Sequence, residues 1–332
     1  MTCPTWVCSL SAMSHRVRLP LILLAVLVLS LAGADVASAG APIYPHQSAG
    51  NRGSDVRAVQ GLLRHHGATT LRISGVFDPP TVTALRDFQD VHALRVTGMV
   101  DAATWLKLIV RLRPGATGEA VMVVQRQLND KRRSGLTVDG TLAGATLTAV
   151  RSFQRHAYLA VTGIVDAATW RQLLGHYELP QFGKWMCGYQ VGNGPAHWGT
   201  GAAIGQVRAA AVSLVNRGYS RIAIGDVGFE HGGDIPGHES HERGLDVDIR
   251  IMRRDDRQCQ WGGTYRMAVY DRTATRALVK AIRATAPGHV KLIYFNDPVL
   301  IREGLTRWYA GHDDHVHVRF CERVYPLSTY DC

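Results

Sequence analysis

An internal duplication is the strongest constraint that this sequence places on its fold. The segment VTGMVDAATW at Val96 returns as VTGIVDAATW at Val161, and GSDVRAVQGLL at Gly53 corresponds to GEAVMVVQRQL at Gly118. The offset is 65 residues for each of three landmark pairs, Gln60 with Gln125, Phe88 with Phe153 and Trp105 with Trp170. A constant offset means that two copies of one small module align without a gap.

Each copy has the apolar spacing of a small helical bundle. Val56, Val59 and Leu63 occupy positions i, i+3 and i+7 of one helical face. Asp101 and Asp166 stand where they would cap a last short helix in their copies. Turn-rich segments, SGVFDPPT in the first copy and VDGTLAGAT in the second, separate the helical stretches. The pattern predicts two small all-α modules in series.

The duplicated segments resemble the peptidoglycan-binding domains of the three-helix type that occur in secreted wall hydrolases. The resemblance rests on VxxVQxxL, TxxAxxxFQ and VTGxVDxATW and spans about residues 48–175. It implies two peptidoglycan-binding domains, at residues 48–112 and 113–176. The second copy departs from the first, with TLAGAT in place of FDPPT, so the resemblance supports a ligand groove less strongly in the second copy. The alternative is a pair of bundles that only space the rest of the chain from the wall.

The first 39 residues have the pattern of a signal peptide for export. Arg16 and Arg18 precede an apolar run over residues 19–31, and the small residues ASA end at Ala39. The run is shorter than the ~20 apolar residues that a membrane span needs. We therefore predict cleavage after Ala39, with an uncleaved anchor as the alternative. The product would be secreted to the cell wall or a periplasm-like extracytoplasmic space, with no membrane attachment.

Export changes the interpretation of the cysteines. Two of the six lie in the signal segment, and the remaining four form an even set in a compartment where disulfides persist. Four cysteines allow three pairings, which the sequence leaves open. Pairing Cys321 with Cys332 would tie down the C-terminal tail, and Cys187 would then pair with Cys259. A zinc site of all four cysteines is the alternative, although its usual CxxC spacing is absent.

The net charge favours a polyanionic partner. It is +10 for the whole chain and +9 without residues 1–39. In an exported protein such a balance suits a polyanionic surface such as the cell wall. The basic residues are scattered and accompany no nucleic-acid motif, so we expect no nucleic-acid binding. The sequence leaves the oligomeric state open.

Two segments in the last third of the chain alternate polar and apolar residues like β-strands. In LDVDIRI, Asp246 and Asp248 share one face, and in HVHVRF, His315 and His317 do so. We expect each strand to be half buried. If the strands are neighbours, their polar faces bring Asp248 close to His317, and His241 arrives from the glycine-bounded loop before the first strand.

This set of residue types indicates a metal site. Six of the 15 histidines fall within residues 231–241 or 312–317. Three nitrogen and carboxylate ligands leave a zinc ion one open position at which it activates water, whereas structural zinc sites are usually closed and rich in cysteine. The sequence therefore predicts a catalytic Zn²⁺ site, and the alternative is a group of solvated loop histidines.

The paired motifs carry a second resemblance. SHERGLDVDIR, KLIYFNDPVLIREG and HDDHVHVR together resemble the penicillin-insensitive murein endopeptidases, within the lysostaphin and D-Ala-D-Ala metallopeptidase group. The resemblance spans about residues 225–319. It implies an α+β zinc peptidase domain with an antiparallel sheet at residues 177–332, and zinc ligation by His241, Asp248 and His317.

The same resemblance gives further histidines a role. It places His315 beside the activated water or the developing oxyanion, and His312 beside the cleft, so both are predicted catalytic residues. His238 would bind a second metal ion or orient the first ligand, and we include it among the metal ligands. The proton-transfer residue stays open among His315, His312 and Asp314. We prefer His315, since strand alternation turns Asp314 away from the metal.

The reaction implied by the resemblance is hydrolysis of a D-amino-acid amide bond in a peptidoglycan cross-link, such as that from D-alanine to meso-diaminopimelate. One alternative is a D,D-carboxypeptidase that releases terminal D-Ala. Another is a wall-binding protein without activity. No SxxK segment indicates a penicillin-reactive serine.

Overall fold

The structure is a computed structural model that describes residues 43–189, 196–323 and 325–332. Ala39–Cys332 forms one compact unit. The predicted signal peptide, with its cleavage site after Ala39, lies outside the described residues. Within the described ranges, no helix is both long enough and apolar enough to cross a membrane.

Within the described ranges, six helices build the two repeats. They are α1 (Ser54–His65), α2 (Pro79–Val91) and α3 (Ala102–Leu108) in the first copy, and α4 (Glu119–Arg132), α5 (Gly144–His156) and α6 (Ala167–Gly175) in the second. Asp101 caps α3 by accepting a hydrogen bond from the Thr104 backbone N–H at 2.8 Å, and Asp166 caps α6 in the same way. Asp78 caps α2, whereas Ala143 precedes α5 and cannot. The predicted pair of three-helix modules is confirmed.

A buried glutamine ties the first helix of each copy to the turn that follows it. Gln60 Nε2 donates to the Val76 carbonyl at 2.9 Å, and Gln60 Oε1 accepts from the Gly75 N–H at 2.9 Å. Gln125 Oε1 accepts from the Gly140 N–H at 2.9 Å, which is the same bond 65 residues later. A buried amide without partners costs roughly 1–3 kcal/mol, so the fold explains why this glutamine recurs.

The two copies share one hydrophobic core. Helix α1 packs along α4, and Gly61 permits the close approach, since a Cβ at this position would lie 2.4 Å from Val123 Cγ2. Lys131 of α4 is buried and donates to the Asp55 carboxylate of α1 at 2.8 Å. The repeats are therefore packed together and are not two separate bundles.

A mixed five-stranded sheet, counted over the described ranges, lies at the centre of the C-terminal domain, in the order β1-β2-β3-β5-β4. Its elements are β1 (Met186–Gly188), α7 (Gly201–Val215), β2 (Ile222–Ile224), β3 (Asp246–Arg250), α8 (Arg272–Thr285), β4 (Val290–Tyr294), α9 (Pro298–Arg302) and β5 (His315–Phe320). The α+β prediction is confirmed. Three strand pairs are antiparallel, as predicted, but β1 and β2 are parallel. A parallel pair needs a crossover connection, and α7 lies in it.

Most residues on both faces of β3 and β5 are buried, so the strands are more buried than predicted. Their apolar side chains join the core beneath α7 and α8. On the opposite face, Asp246, Asp248 and His317 are at most 4% exposed. His241 and Tyr330 lie over them, each within hydrogen-bonding distance of Asp246. Strand periodicity predicts the faces but cannot predict which distant segments cover them.

Two disulfides decide among the three pairings. Cys187 of β1 bonds to Cys259 in the loop after β3, and Cys321 bonds to Cys332 at the C-terminus. The second bond ties the C-terminal tail to the end of β5. Because all four cysteines are in disulfides, the alternative of a four-cysteine zinc site is wrong.

The first copy also packs against the C-terminal domain. Gly53 lies so close to α7 that an added Cβ would be 2.0 Å from the Gly201 carbonyl oxygen. Its counterpart Gly118 has a similar positive φ, 108° compared with 116°, but no atom lies within 4 Å of its virtual Cβ. Arg52 Nε donates to the Thr285 carbonyl of α8 at 2.8 Å. The two copies therefore have a similar backbone conformation at this glycine, but only the first copy packs against the C-terminal domain there.

Candidate metal centre

The register of β3 and β5 brings acidic residues and histidines together. The strands are antiparallel neighbours, with Asp248 paired with His317 and Asp246 paired with Arg319. Side chains of directly opposed residues lie on the same face of a sheet. The two motifs, about 70 residues apart in sequence, thus form one polar face.

His241 reaches this face from the loop before β3. Its φ of 78° lies in the left-handed region, which residues other than glycine seldom adopt. Its backbone N–H donates to Asp246 Oδ2 at 3.2 Å, and its Nδ1 lies 3.3 Å from the Val227 carbonyl oxygen. When Nδ1 donates to that carbonyl, the lone pair of Nε2 faces the strands, where Asp248 Oδ1 is 3.4 Å away.

Three donor atoms converge here within the dimensions of a metal site. His241 Nε2 lies 3.3 Å from His317 Nδ1, and His317 Nδ1 lies 2.9 Å from Asp248 Oδ1. Ligands about 2.0–2.1 Å from a tetrahedral zinc ion are about 3.3 Å from one another. The three atoms form a triangle of that size, so the residues fit a zinc ion with one position left for another ligand.

Asp246 lies within hydrogen-bonding distance of the second ring nitrogen of His317. Asp246 Oδ1 is 3.0 Å from His317 Nε2 and accepts from Arg319 Nε at 2.7 Å, while its Oδ2 accepts from the Tyr330 hydroxyl at 2.8 Å. Burial alone would lower the pKa of His317, but its hydrogen bonds to Asp246 and Asp248 raise it to about 9. A carboxylate behind an imidazole is the usual device that orients a metal-ligating histidine.

His315 lies at the more open side of the cluster, with its side chain 20% exposed. Its Nε2 is 3.7 Å from Asp248 Oδ1, and its Nδ1 is 2.8 Å from Asp314 Oδ1. Burial opposes the charged form, but the carboxylates of Asp248 and Asp314 raise the pKa of His315 above its ordinary value. Asp314 thus contacts His315, next to it in the chain.

His312 stands beside His315 with their ring centroids 4.7 Å apart. Its Nδ1 lies 2.9 Å from the Ala310 carbonyl oxygen. When Nδ1 donates to that carbonyl, Nε2 keeps a free lone pair. Burial lowers the pKa of His312 to about 4. The pKa values of the two adjacent imidazoles are therefore shifted in opposite directions, upward for His315 and downward for His312.

His238 lies on the other side of His241, with 4.7 Å between their ring centroids. Its Nε2 is 3.1 Å from Asp226 Oδ2, and this carboxylate raises the pKa of His238. His238, His241 and Asp248 can each turn one donor atom towards a common point, with the three atoms within 4.8 Å of one another. All the predicted site residues are thus gathered in one place.

Sequence reasoning missed several residues of this site. Tyr294 of β4 is paired with His317, and its ring stacks on that of Tyr309 at 4.8 Å. The Tyr309 hydroxyl donates to Glu239 in the loop that carries the histidines. Tyr294 lies inside the quoted KLIYFNDP segment and could have been found by its strand phase. Asp226 and Tyr330 are single polar residues far along the chain, with no pattern that marks them.

A cavity with different lining residues lies elsewhere in the described structure. It has a volume of about 480 Å³, lies between the first repeat and the C-terminal domain, and is lined by Arg57, Glu178, Trp185 and Arg208 among others. No predicted site residue lines it. The candidate metal centre rests on the chemistry of its donor atoms and not on a cavity.

Comparison with protein families agrees with the motifs. Residues 52–108 and 117–173 each match the family model of the peptidoglycan binding domain. Residues 173–294 match the family model of penicillin-insensitive murein endopeptidase. A search of curated proteins gave no match. These matches agree with the architecture implied by the two resemblances, in which two modules similar to peptidoglycan-binding domains precede a domain similar to the penicillin-insensitive murein endopeptidases.

The endopeptidase match ends within the site. It includes His241 and Asp248 but stops at residue 294, before His312, His315 and His317. The pairing of β3 with β5 places these three histidines beside the matched residues. Histidine and aspartate groups at this position could hold a metal ion.

Proposed function

We propose that this chain, whose C-terminal domain matches the penicillin-insensitive murein endopeptidases, is an exported zinc peptidase that cuts peptidoglycan cross-links. The signal peptide comprises residues 1–39, the wall-binding domains residues 48–112 and 113–176, and the peptidase domain residues 177–332. The bond cut is a D-amino-acid amide, of the type that joins D-alanine to meso-diaminopimelate.

The convergence of His241, Asp248 and His317 is the observation that carries this proposal. Their donor atoms lie 2.9–3.4 Å apart, and the carboxylate is buried. An ionised carboxylate is costly to bury unless cations or hydrogen-bond donors surround it. A zinc ion bound by these three atoms would balance that charge. When bound, it supplies a Lewis acid that polarises the scissile carbonyl and activates a water molecule.

His312 and His315 divide the proton transfers between them. The neutral His312 has a free lone pair on Nε2 and is placed to accept a proton from the attacking water. His315, whose Nδ1 contacts Asp314 and whose pKa is raised by the neighbouring carboxylates, would stabilise the developing oxyanion and give a proton to the departing amine. General acid–base catalysis works best with such pairs, in which the environment separates the two pKa values.

The repeats would hold the enzyme at its insoluble substrate. Both copies match the peptidoglycan binding domain family. A net charge of +9 without the signal peptide adds a long-range attraction to anionic wall polymers. Because the first copy is packed against α7 and α8, the bound wall and the metal centre stay in a fixed relation.

Digestion of cross-linked muropeptide dimers tests the proposal. The compact unit Ala39–Cys332 is incubated with dimers after chelation, with and without added zinc, beside a His317→Ala variant and a His65→Gln control on the exposed end of α1. We expect conversion of dimers to monomers, identified by mass, that requires both zinc and His317. Release of D-Ala alone would indicate the carboxypeptidase. No turnover by folded, zinc-loaded protein would leave a wall-binding protein.

A further inference from the structure

A second cluster of histidines lies away from the metal centre, where the second repeat meets the C-terminal domain. His156 is the last residue of α5, His176 follows α6, and His231 begins the loop that leads to His238 and His241. His156, His176 and His231 each have one ring nitrogen within 4.8 Å of a ring nitrogen of the other two. Three segments that are distant in sequence therefore direct imidazoles to one point.

A carboxylate completes this group. Glu230 Oε1 lies 3.1 Å from His156 Nε2 and 3.5 Å from His176 Nε2, and the two nitrogens are 3.3 Å apart. These three distances surround the value of about 3.3 Å expected between neighbouring ligands of tetrahedral zinc. Glu230, His156 and His176 thus have the spacing of metal ligands, and a nitrogen of His231 lies within 4.8 Å of the two histidine nitrogens as a further ligand.

The hydrogen bonding of His176 leaves a lone pair directed into the cluster. Its Nδ1 lies 2.6 Å from the Tyr177 carbonyl oxygen, which can only accept, so Nδ1 carries the proton. In the neutral ring Nε2 is then an acceptor, and it faces the acceptor oxygen of Glu230. A histidine that donates one nitrogen to a backbone carbonyl and presents the other inward has the usual arrangement of a metal ligand.

The first repeat shows that the fold does not need these histidines. At the positions 65 residues earlier, the first copy has Val91 in place of His156 and Arg111 in place of His176. Val91 likewise ends its helix, α2, and is 80% exposed. These histidines are therefore specific to the junction between the second copy and the C-terminal domain. The helical fold that the two copies share does not require them.

We propose that His156, His176, His231 and Glu230 form a second binding site for a zinc-like divalent cation, separate from the catalytic metal centre. The site joins the second repeat to the loop of the peptidase domain that supplies His241. Arg132 also contacts Glu230 Oε1. The carboxylate has about four lone-pair positions on its two oxygens, so it can accept from Arg132 and still bind a cation.

The competing explanation is a hydrogen-bonded cluster without metal. A proton on His156 Nε2 would then be shared between Glu230 and His176. That arrangement needs no ion, so the two explanations differ in the amount of zinc that the junction retains.

Zinc stoichiometry tests the proposal directly. The compact unit Ala39–Cys332 is saturated with zinc, passed through a desalting column and analysed for metal by mass spectrometry. The test variant is His156→Val/His231→Gln, which changes two exposed or half-exposed side chains, one of them to the residue of the first copy. The control is His65→Gln. Circular dichroism confirms that all three proteins are folded.

We expect the test variant to retain one zinc ion fewer per chain than the wild type, and the control to retain the same number. Cobalt substitution provides a second readout, since the visible absorption of tetrahedral cobalt should fall in the test variant alone. Equal zinc content in wild type and test variant would overturn the proposal. The comparison of zinc content between wild type and test variant does not depend on what the catalytic centre binds. It therefore tests the second site independently of the proposed activity.

Discussion

The repeats and the metal centre both bury polar side chains, but their chemistry differs. In the repeats, Gln60 and Gln125 are neutral amides, and each is matched by complementary backbone donors and acceptors. In the metal centre, Asp246, Asp248 and His317 are ionisable groups that share partners within a few ångströms. The first arrangement is fully satisfied by the protein. The second places several lone pairs around one point and fits a cation.

We expect this difference to separate residues that maintain the fold from residues of the proposed catalytic site. A neutral, paired amide should affect stability and leave turnover unchanged. Changes in the buried ionic cluster should lower turnover, and they should also lower stability, because uncompensated buried charge is costly. The predictions below test that separation.

The largest effect is expected at Asp248. Replacement Asp248→Asn keeps the shape but removes the charge that contacts His241 and His317. Loss of several kcal/mol of transition-state stabilisation corresponds to a fall in kcat/KM on the order of 10³-fold. Asp234→Asn, at an exposed position of the loop before β3, is the control and should keep full activity. An active Asp248→Asn protein would show that the cluster is structural.

A smaller loss is expected at Asp246, which acts through His317. Removal of such a supporting carboxylate typically costs 10–100-fold in metal affinity or activity. For Asp246→Asn we expect weaker zinc binding in a chelator competition, and activity that recovers when zinc is added in excess. A loss of activity that zinc cannot restore, with unchanged zinc affinity, would contradict this role.

Glu322 lies between the two regions and gives a pH dependence. Burial raises the pKa of this side chain to about 8, with a further contribution from the nearby Asp55 carboxylate. The groups that face it also include the hydroxyls of Tyr177 and Tyr325 and the His46 backbone N–H at 3.3 Å. An ordinary glutamate in the unfolded chain has a pKa near 4.5. The folded protein therefore binds more protons than the unfolded chain between about pH 4.5 and pH 8.

Stability conferred by the protonated Glu322 is thus lost as pH rises through this range. The contribution of Glu322 to the free energy of unfolding should fall by a few kcal/mol between pH 5.5 and pH 8.5, since each pKa unit corresponds to about 1.4 kcal/mol. Glu322→Gln should flatten this slope. Urea unfolding at both pH values measures the effect, and equal slopes for both proteins would refute it.

The smallest effects are expected in the repeats. Gln60→Ala or Gln125→Ala leaves backbone groups in the turn without their partner and should cost roughly 1–3 kcal/mol of unfolding free energy. The kcat on soluble muropeptide dimers should stay within twofold of wild type. A large loss of kcat would mean that the repeats contribute to the catalytic step itself, and the separation would fail.

Much of this organisation could be predicted from the sequence, because it depends on local patterns. The 65-residue offset predicts the repeats, and period-two alternation predicts β3 and β5 with their polar faces. The parallel pairing of β1 with β2 could not be predicted, because three-residue strands carry too little periodicity. Nor could the covering of the site by Tyr330, since long-range contacts of a C-terminal tail leave no mark on its own sequence.

The shared core of the two repeats is a second feature that local patterns do not reveal. Gly61 is a weak helix former in the middle of α1, and only the position of Val123 explains it. The junction cluster of His156, His176 and His231 was equally hidden, because its members are about 20 and 55 residues apart in sequence. The one available indication was the divergence of the second copy from the first at His156 and His176.

Anomalous X-ray diffraction at the zinc absorption edge tests the central claim most directly. Crystals of the zinc-saturated protein should show an anomalous peak about 2.0–2.2 Å from His241 Nε2, Asp248 Oδ1 and His317 Nδ1. The peak should be absent below the edge and absent in His317→Ala crystals. Catalytically active crystals without zinc between these three residues would contradict the account.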